Sequence, residues 1–155
     1  MPGLDGAPTR EVAARTVTGQ EFPALGGSPY VVDLTQGLHP AWNPYFSGLP
    51  EVFARIAPGS AGVVLRAADA EALGEAQAAA IGRPLVVAVQ DAVRTPWMRA
   101  ALQHLIESHE GDVFVLCTGI PEDRALVPAN VPTAVTYGRN LVVLEAVTQV
   151  LTRKP

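Results

Sequence analysis

The sequence predicts an α/β fold: a three-layer αβα sandwich built on a five-stranded, mainly parallel sheet with strand order 2-1-3-4-5. Two observations support this prediction. Five short apolar runs recur along the 155 residues with little polar alternation, which is typical of strands buried on both faces. Helical patterns separate these runs, so strands and helices alternate and right-handed crossovers connect them. No linker or repeat divides the chain, which indicates a single domain over 1–155.

Four of the five predicted strands contain consecutive valine or leucine residues. The predicted strands are residues 30–35, 62–67, 84–90, 112–118 and 132–136. Together with their helices they form the body of the domain, 30–153, in a flavodoxin-like arrangement. Residues 1–20 are expected to form a linker-like extension, with a helical pattern over 8–17. Two further helices are expected over 50–57 and after Gly138.

Capping residues delimit the two helices in the middle of the chain. Asp69 is expected to cap a helix over 70–81, and Gly82 is expected to end it. Thr95 is expected to cap the next helix, with Pro96 at its first position. These signals place both helices between consecutive strands, as a parallel sheet requires.

Composition excludes several classes of function. Apolar residues make up 48% of the chain and charged residues 17%, which suits a packed core and argues against disorder. The net charge is −4 and the 11 lysines and arginines are scattered, so we expect no nucleic-acid partner. No apolar run approaches the length of a membrane span, so we expect no membrane contact either. The amino terminus lacks a signal-peptide pattern, which favours a cytoplasmic location.

Motifs for metals and cofactors are also absent from the sequence. One cysteine excludes a disulfide framework, and the three histidines lack zinc-ligand spacing. No glycine-rich phosphate loop follows the first strand, and no Gly-x-Ser-x-Gly elbow occurs. We therefore expect no metal site and no bound cofactor.

A ligand site is expected at the carboxyl edge of the sheet, where the strand order switches between strands one and three. The long loop after strand one contains His39, Trp42 and Asn43, and the loop after strand three contains Asp91 and Arg94. Rigid aromatic side chains suit sugars and other ring-bearing ligands. Asp91 and His39 are the acid/base candidates of this face.

Two further candidates end the later strands. Cys117 ends strand four, and Tyr137 follows strand five. A structural interpretation stands beside each functional one. Cys117 suits a small apolar filler better than a nucleophile, because no histidine is near it in sequence. For Asp91 and Arg94, the structural interpretation is an ion pair between them at the start of a helix. In the structural interpretation, the loop after strand one, which carries Trp42, covers the end of the sheet or contacts another domain.

A resemblance to a known family spans nearly the whole chain. The stretch 83–99, RPLVVAVQDAVRTPWMR, resembles a strand and helix start in the C-terminal domain of family 3 glycoside hydrolases, of the actinobacterial β-N-acetylglucosaminidase type. The pieces 119–121 and 136–138 are similar to the next two strand ends of that domain. Residues 11–18 are similar to the helix that joins the catalytic barrel to it.

The chain departs from the family pattern at informative positions. The family has histidines where this chain has Val93 and Thr95, and arginine where it has Gln90. The family's nucleophile and acid/base loop belong to the barrel, which these residues do not contain. The resemblance therefore implies that the chain is not an intact glycosidase, since retaining hydrolysis needs two groups flanking the scissile bond.

Two classes of function remain open. The first is a non-catalytic accessory module that binds a small molecule or a protein partner. The second is a small enzyme of specialised metabolism that reuses the crevice after strands one and three for new chemistry. Loss of the barrel would leave apolar surface to cover, so we expect the loop 38–46 to contribute to a homodimer or partner contact.

Overall fold

A computed structural model describes residues 23–25, 28–35, 48–136 and 141–153 of the chain. The sheet contains five strands, which are β1 (Tyr30–Leu34), β2 (Ala61–Leu65), β3 (Leu85–Val89), β4 (Val113–Cys117) and β5 (Thr133–Val135). The described helices are α1 (Leu49–Ile56), α2 (Ala70–Ala79), α3 (Pro96–Ser108) and α4 (Leu141–Leu151). Short 3-10 helices follow β3 (Ala92–Arg94) and β4 (Pro121–Leu126).

All neighbouring strands are parallel, and the strand order is β2-β1-β3-β4-β5. The fold predicted from the sequence is therefore confirmed, including the order of the strands. In the middle of the sheet, Val32 lies beside Val63 on one side and Val87 on the other. Each observed strand begins and ends within one or two residues of its predicted bounds. The bounds agree because apolar runs mark the buried part of each strand, and the hydrogen bonds between strands end where that part ends.

Alternate residues of the central strands enter two separate cores. On one face, Val32 and Val87 pack with residues of α2 and α3 such as Leu102. On the other face, Val31 and Val86 pack with residues of α1 and α4. Every residue of β1 and β3 is buried, so the sheet is covered on both sides. This explains the continuous apolar runs in the sequence.

The helix signals agree with the structure in most details. Asp69 accepts a hydrogen bond from Ala72 N at 3.0 Å and caps α2, as expected. The α-helical residues end at Ala79, two residues before the predicted end, and Gly82 then takes a left-handed conformation with φ 76°. Thr95 precedes α3 but does not cap it with its side chain. None of the described helices has the length and apolar character needed to cross a membrane.

Candidate functional site

Polar residues follow the strands at the carboxyl edge of the sheet. Thr35 follows β1, and Gln90 follows β3. The Thr35 hydroxyl donates a hydrogen bond to Gln90 Oε1 at 3.1 Å, so the two strand ends are joined across the point where the strand order switches. Thr118 follows β4 and donates to the carbonyl oxygen of Val89 at 2.9 Å. Polar side chains, two of them buried, thus close the apolar core at this edge.

A buried carboxylate at the end of β1 holds the start of α1. Asp33 is fully buried, and its Oδ2 accepts a hydrogen bond from Leu49 N at 3.0 Å. The backbone at Gly48 lies close to Asp33 and Val64, because a Cβ on Gly48 would lie 3.3 Å from Asp33 Oδ2 and 2.5 Å from Val64 Cγ2. Gly48 also has φ 135°, a conformation that glycine tolerates. Sequence reasoning missed Asp33, although one charge inside the strand YVVDL was a usable signal.

A second buried carboxylate organises the loop after β3. Asp123 is fully buried in the 3-10 helix that follows β4. Its Oδ2 accepts from Ala92 N at 3.0 Å, and its Oδ1 accepts from Val93 N at 2.9 Å. Both N–H groups start the 3-10 helix after β3, where unpaired donors favour an anion. Sequence reasoning missed this role because Asp123 lies 30 residues from Val93, and no local pattern predicts the contact.

Asp91 differs from both of these aspartates. Its backbone is left-handed, with φ 60° and ψ 40°, at the end of the central strand β3. Non-glycine residues in this region cluster at functional sites, and aspartate tolerates the conformation better than most. A Cβ on Gly119 would lie 2.9 Å from Asp91 Oδ1, so glycine after β4 makes room for the carboxylate. Among the described residues, no side chain or N–H group pairs with that carboxylate.

Arg94 lies in the same loop but does not bind Asp91. Its side chain is exposed, and no ion pair joins these two described residues. The link between them is through the backbone, since Arg94 N donates to Asp91 O at 3.1 Å. The Thr95 hydroxyl donates to the same oxygen at 2.9 Å. The structure therefore places both residues in one loop without an ion pair between them, so the expected ion pair does not form.

Cys117 lies inside the core at the end of β4. Its side chain is fully buried among apolar residues. Burial, and secondarily the negative charge of Asp123, raises the pKa of the Cys117 thiol to about 12. A protonated, inaccessible thiol is a poor nucleophile, and this favours the packing interpretation. A ligand contact by Cys117 stays a prediction.

The other predicted site residues lie outside the described residues. These are His39, Trp42, Asn43 and Tyr137, and their roles stay predictions. Within the described ranges, no group of histidine, cysteine, aspartate or glutamate residues could hold a metal ion.

Two of the described cavities lie away from the carboxyl edge between β1 and β3. One, of about 400 Å³, lies between α2 and α3, with Trp97 and His104 in its wall. The other, of about 540 Å³, lies at the amino edge near Val113 and Pro132. Neither is lined by Asp91.

No protein-family model matches the sequence, and neither does any curated protein. Solved structures do match. The first is a fungal multi-domain GH3 β-N-acetylglucosaminidase, described as containing a GCN5-related glucosamine N-acetyltransferase region, with TM-score 0.66 and 13% identity over 97% of this chain. Another is CbsA from Thermotoga neapolitana, with TM-score 0.59 and 17% identity over 94% of this chain.

These matches concern part of much longer proteins. The chain spans 18% of the fungal protein and 30% of CbsA. At such identities the likeness is one of fold, and it agrees with the αβα sandwich described above. It gives a distant fold link to an enzyme of glycoside hydrolase family 3, in keeping with the resemblance read from the sequence.

Proposed function

We propose that this chain is a non-catalytic binding module, similar to the C-terminal domain of family 3 glycoside hydrolases, that takes a small polyhydroxylated ligand at the carboxyl edge between β1 and β3. One observation supports this most directly: the carboxylate of Asp91 is presented in a left-handed backbone conformation without a protein partner among the described residues. An unpaired carboxylate is an acceptor for ligand hydroxyl or amide donors.

The surrounding groups extend this acceptor into a recognition surface. The exposed guanidinium of Arg94 lies on the same loop and can donate to a carbonyl or carboxylate of the ligand. The amide of Gln90 lies beside Asp91, at the switch between β1 and β3. A sugar with an N-acetyl group offers both hydroxyl donors and a carbonyl acceptor, so N-acetylglucosamine is the probe of choice. The expected contact of Trp42 with a sugar ring belongs to the same proposal.

The non-catalytic part of the proposal rests on the other carboxylates of this edge. Asp33 and Asp123 are buried and accept hydrogen bonds from backbone N–H groups. Both therefore serve the fold. Hydrolysis by a pair of carboxylates needs two of them facing one bond, and backbone hydrogen bonds already engage both Asp33 and Asp123. We expect no turnover of aryl N-acetylglucosaminides by the pure protein, as measured by release of the aryl group.

Titration of the full chain with N-acetylglucosamine, followed by amide NMR, tests the site. We expect shifts of the Gln90, Asp91 and Gly119 amides that saturate with ligand. The variant Asp91→Asn keeps the side-chain shape and should abolish saturation, whereas the control Asp112→Asn, on an exposed residue at the opposite edge of the sheet, should bind as wild type. Equal binding by both variants would reject the assignment of Asp91.

A repurposed enzyme is the second candidate, and the same carboxylate favours it. A half-buried aspartate without a partner among the described residues is also available to act as a general base. The NMR titration distinguishes the two, because a catalyst would produce new ligand signals over time that Asp91→Asn fails to produce. Unchanged ligand signals with saturable binding support the binding module.

A further inference from the structure

Among the described residues, none pairs with the outer edge of the sheet at β2. β2 pairs with β1 and forms one end of the strand order. Its sequence, AGVVL, contains no charge and no proline, and four of its five residues are half-exposed. Proteins protect sheet edges with short strands, charges or proline. The opposite edge follows that rule, since β5 has three residues and comes directly after Pro132.

The hydrogen bonds of β2 identify the groups on its outer side. Ala61 N donates to Pro29 O at 3.3 Å, and Thr35 N donates to Leu65 O at 3.0 Å. Main-chain groups of alternate residues in a parallel strand point to opposite sides. Gly62 and Val64 therefore direct their N–H and C=O groups away from β1. Within the part of the chain that the structure describes, these groups have no hydrogen-bond partner.

This edge is complementary to itself. In an antiparallel arrangement with Val63 on the two-fold axis, Gly62 lies opposite Val64 of the second copy, and such a facing pair exchanges two hydrogen bonds. The two-fold axis repeats the exchange on the other side of Val63, so all the outward groups of both residues are satisfied. Arg66 then lies opposite Ser60 of the second copy, with no like charges facing each other.

We propose that β2 pairs with β2 of a second copy of this chain, antiparallel about Val63, so that the two sheets become one continuous sheet. A closed two-fold contact uses the same residues on both sides, so the dimer leaves no β2 edge free for further growth. The proposal is independent of the ligand site, because it involves the backbone of β2 and not the carboxyl edge between β1 and β3.

Amide hydrogen exchange with the full chain tests the pairing directly, because β2 contains its own control. The amides of Ala61 and Val63 point toward β1 and should be protected at every concentration. The amides of Gly62 and Val64 should exchange quickly in dilute protein and at least about tenfold more slowly in concentrated protein. Sedimentation should report a dimer over the same concentration range.

Three results would overturn the proposal. One is a monomer at all concentrations. Another is a dimer in which the Gly62 and Val64 amides still exchange quickly, which would place the contact elsewhere. The third is slow exchange of both amides in the dilute monomer, which would mean that another segment of the same chain covers the edge.

A charge at the two-fold axis provides a second test. Val63→Lys places a lysine on the edge strand, a device that natural sheets use against pairing, and should weaken association by at least about tenfold. Val113→Lys is the matched control, because Val113 is also a half-exposed strand valine but lies on β4. Equal association of both variants would reject the β2 contact, and if Val63→Lys fails to fold, the exchange experiment on the wild-type chain decides.

Discussion

Charged side chains bind the backbone at both ends of the parallel strands, and their charges are opposite at the two ends. At the carboxyl edge, the carboxylates of Asp33, Asp69 and Asp123 accept hydrogen bonds from backbone N–H groups at the starts of helices. At the amino edge, the guanidinium of Arg83 donates to backbone carbonyl oxygens of Ser28, Pro29 and Gly59.

The direction of the chain explains this difference. In a parallel α/β fold, helices begin at the carboxyl edge and end at the amino edge, so unpaired N–H groups collect at the first and unpaired C=O groups at the second. Asp91 does not follow this pattern. It belongs to the carboxyl edge, yet its carboxylate caps no helix, and this contrast makes it the candidate for binding.

The first prediction concerns Cys117, which ends β4 at this negatively charged edge. With its pKa raised from 9.0 to about 12, the thiol should hold about a thousandfold less thiolate at neutral pH than an ordinary cysteine. Iodoacetamide should therefore label it at pH 8 only after unfolding. Rapid labelling of the folded protein would show that this edge is neither packed nor charged as described.

The same shift predicts a dependence of stability on pH. The folded state retains the thiol proton between the ordinary pKa of 9.0 and about 12, whereas the unfolded state loses it. The contribution of the protonated thiol is therefore fully present below pH 9 and is lost as the pH rises toward 12. Cys117→Ala should remove part of that slope in denaturant unfolding at pH 8–11. The remainder includes Tyr30, whose pKa is also raised by burial.

The second prediction compares two capping carboxylates of the carboxyl edge. Asp123→Ala leaves two N–H groups of the loop after β3 without their charged acceptor and should lower the free energy of unfolding by about 3–4 kcal/mol. Asp69→Ala, at an exposed cap with one such bond, should cost about 1 kcal/mol. Urea unfolding measures both. Equal losses would mean that burial does not distinguish the two carboxylates.

The third prediction concerns Arg83 at the amino edge. Arg83→Met keeps the aliphatic length but removes the donors to three carbonyl oxygens, and should lower the free energy of unfolding by about 2 kcal/mol. Arg83→Lys should recover less than half of the loss, because a point charge cannot reproduce the planar fork. Full recovery by lysine would show that the charge alone holds this edge.

The fourth prediction has the smallest expected effect on stability, and it distinguishes a binding role of Asp91 from a structural one. Asp91→Gly relieves a left-handed backbone and should raise the free energy of unfolding by up to about 1 kcal/mol, while saturable binding of N-acetylglucosamine is lost. Asp91→Ala, which keeps the Cβ in the same backbone conformation, should destabilise the protein. A large loss of stability in Asp91→Gly would make Asp91 a structural residue like Asp123, and the contrast between the aspartates would disappear.

Sequence patterns alone were sufficient for most of the fold. Buried parallel strands need continuous apolar runs, and helix starts need a cap such as Asp69, so both leave local signals. The strand order also followed, because right-handed crossovers leave few arrangements of alternating strands and helices. The likeness in fold to the fungal GH3 enzyme gives a distant fold link to that family, and the finer resemblance of the stretch 83–99 stays a prediction.

The candidate site was predictable only in part. The switch between β1 and β3 follows from the strand order, and ligand binding there stays a prediction. The sequence could not reveal that Asp123 holds the loop after β3, because that contact joins residues 30 positions apart and no spacing rule reports it. It also could not reveal that Asp91 and Arg94, both within the described residues, form no ion pair with each other, since their spacing permits one.

The sequence by itself therefore determined the class of fold and the order of the elements, because burial and capping are local requirements. Only the tertiary structure decided which carboxylates serve the fold and which one is presented. Asp33 and Asp123 are structural because folding brings distant N–H groups beside them. Asp91 lies against Gly119, which has no side chain, and no donor among the described residues reaches its carboxylate. An aspartate's role depends on the partners that folding brings to it, and three similar residues in one sequence acquired two different roles for that reason.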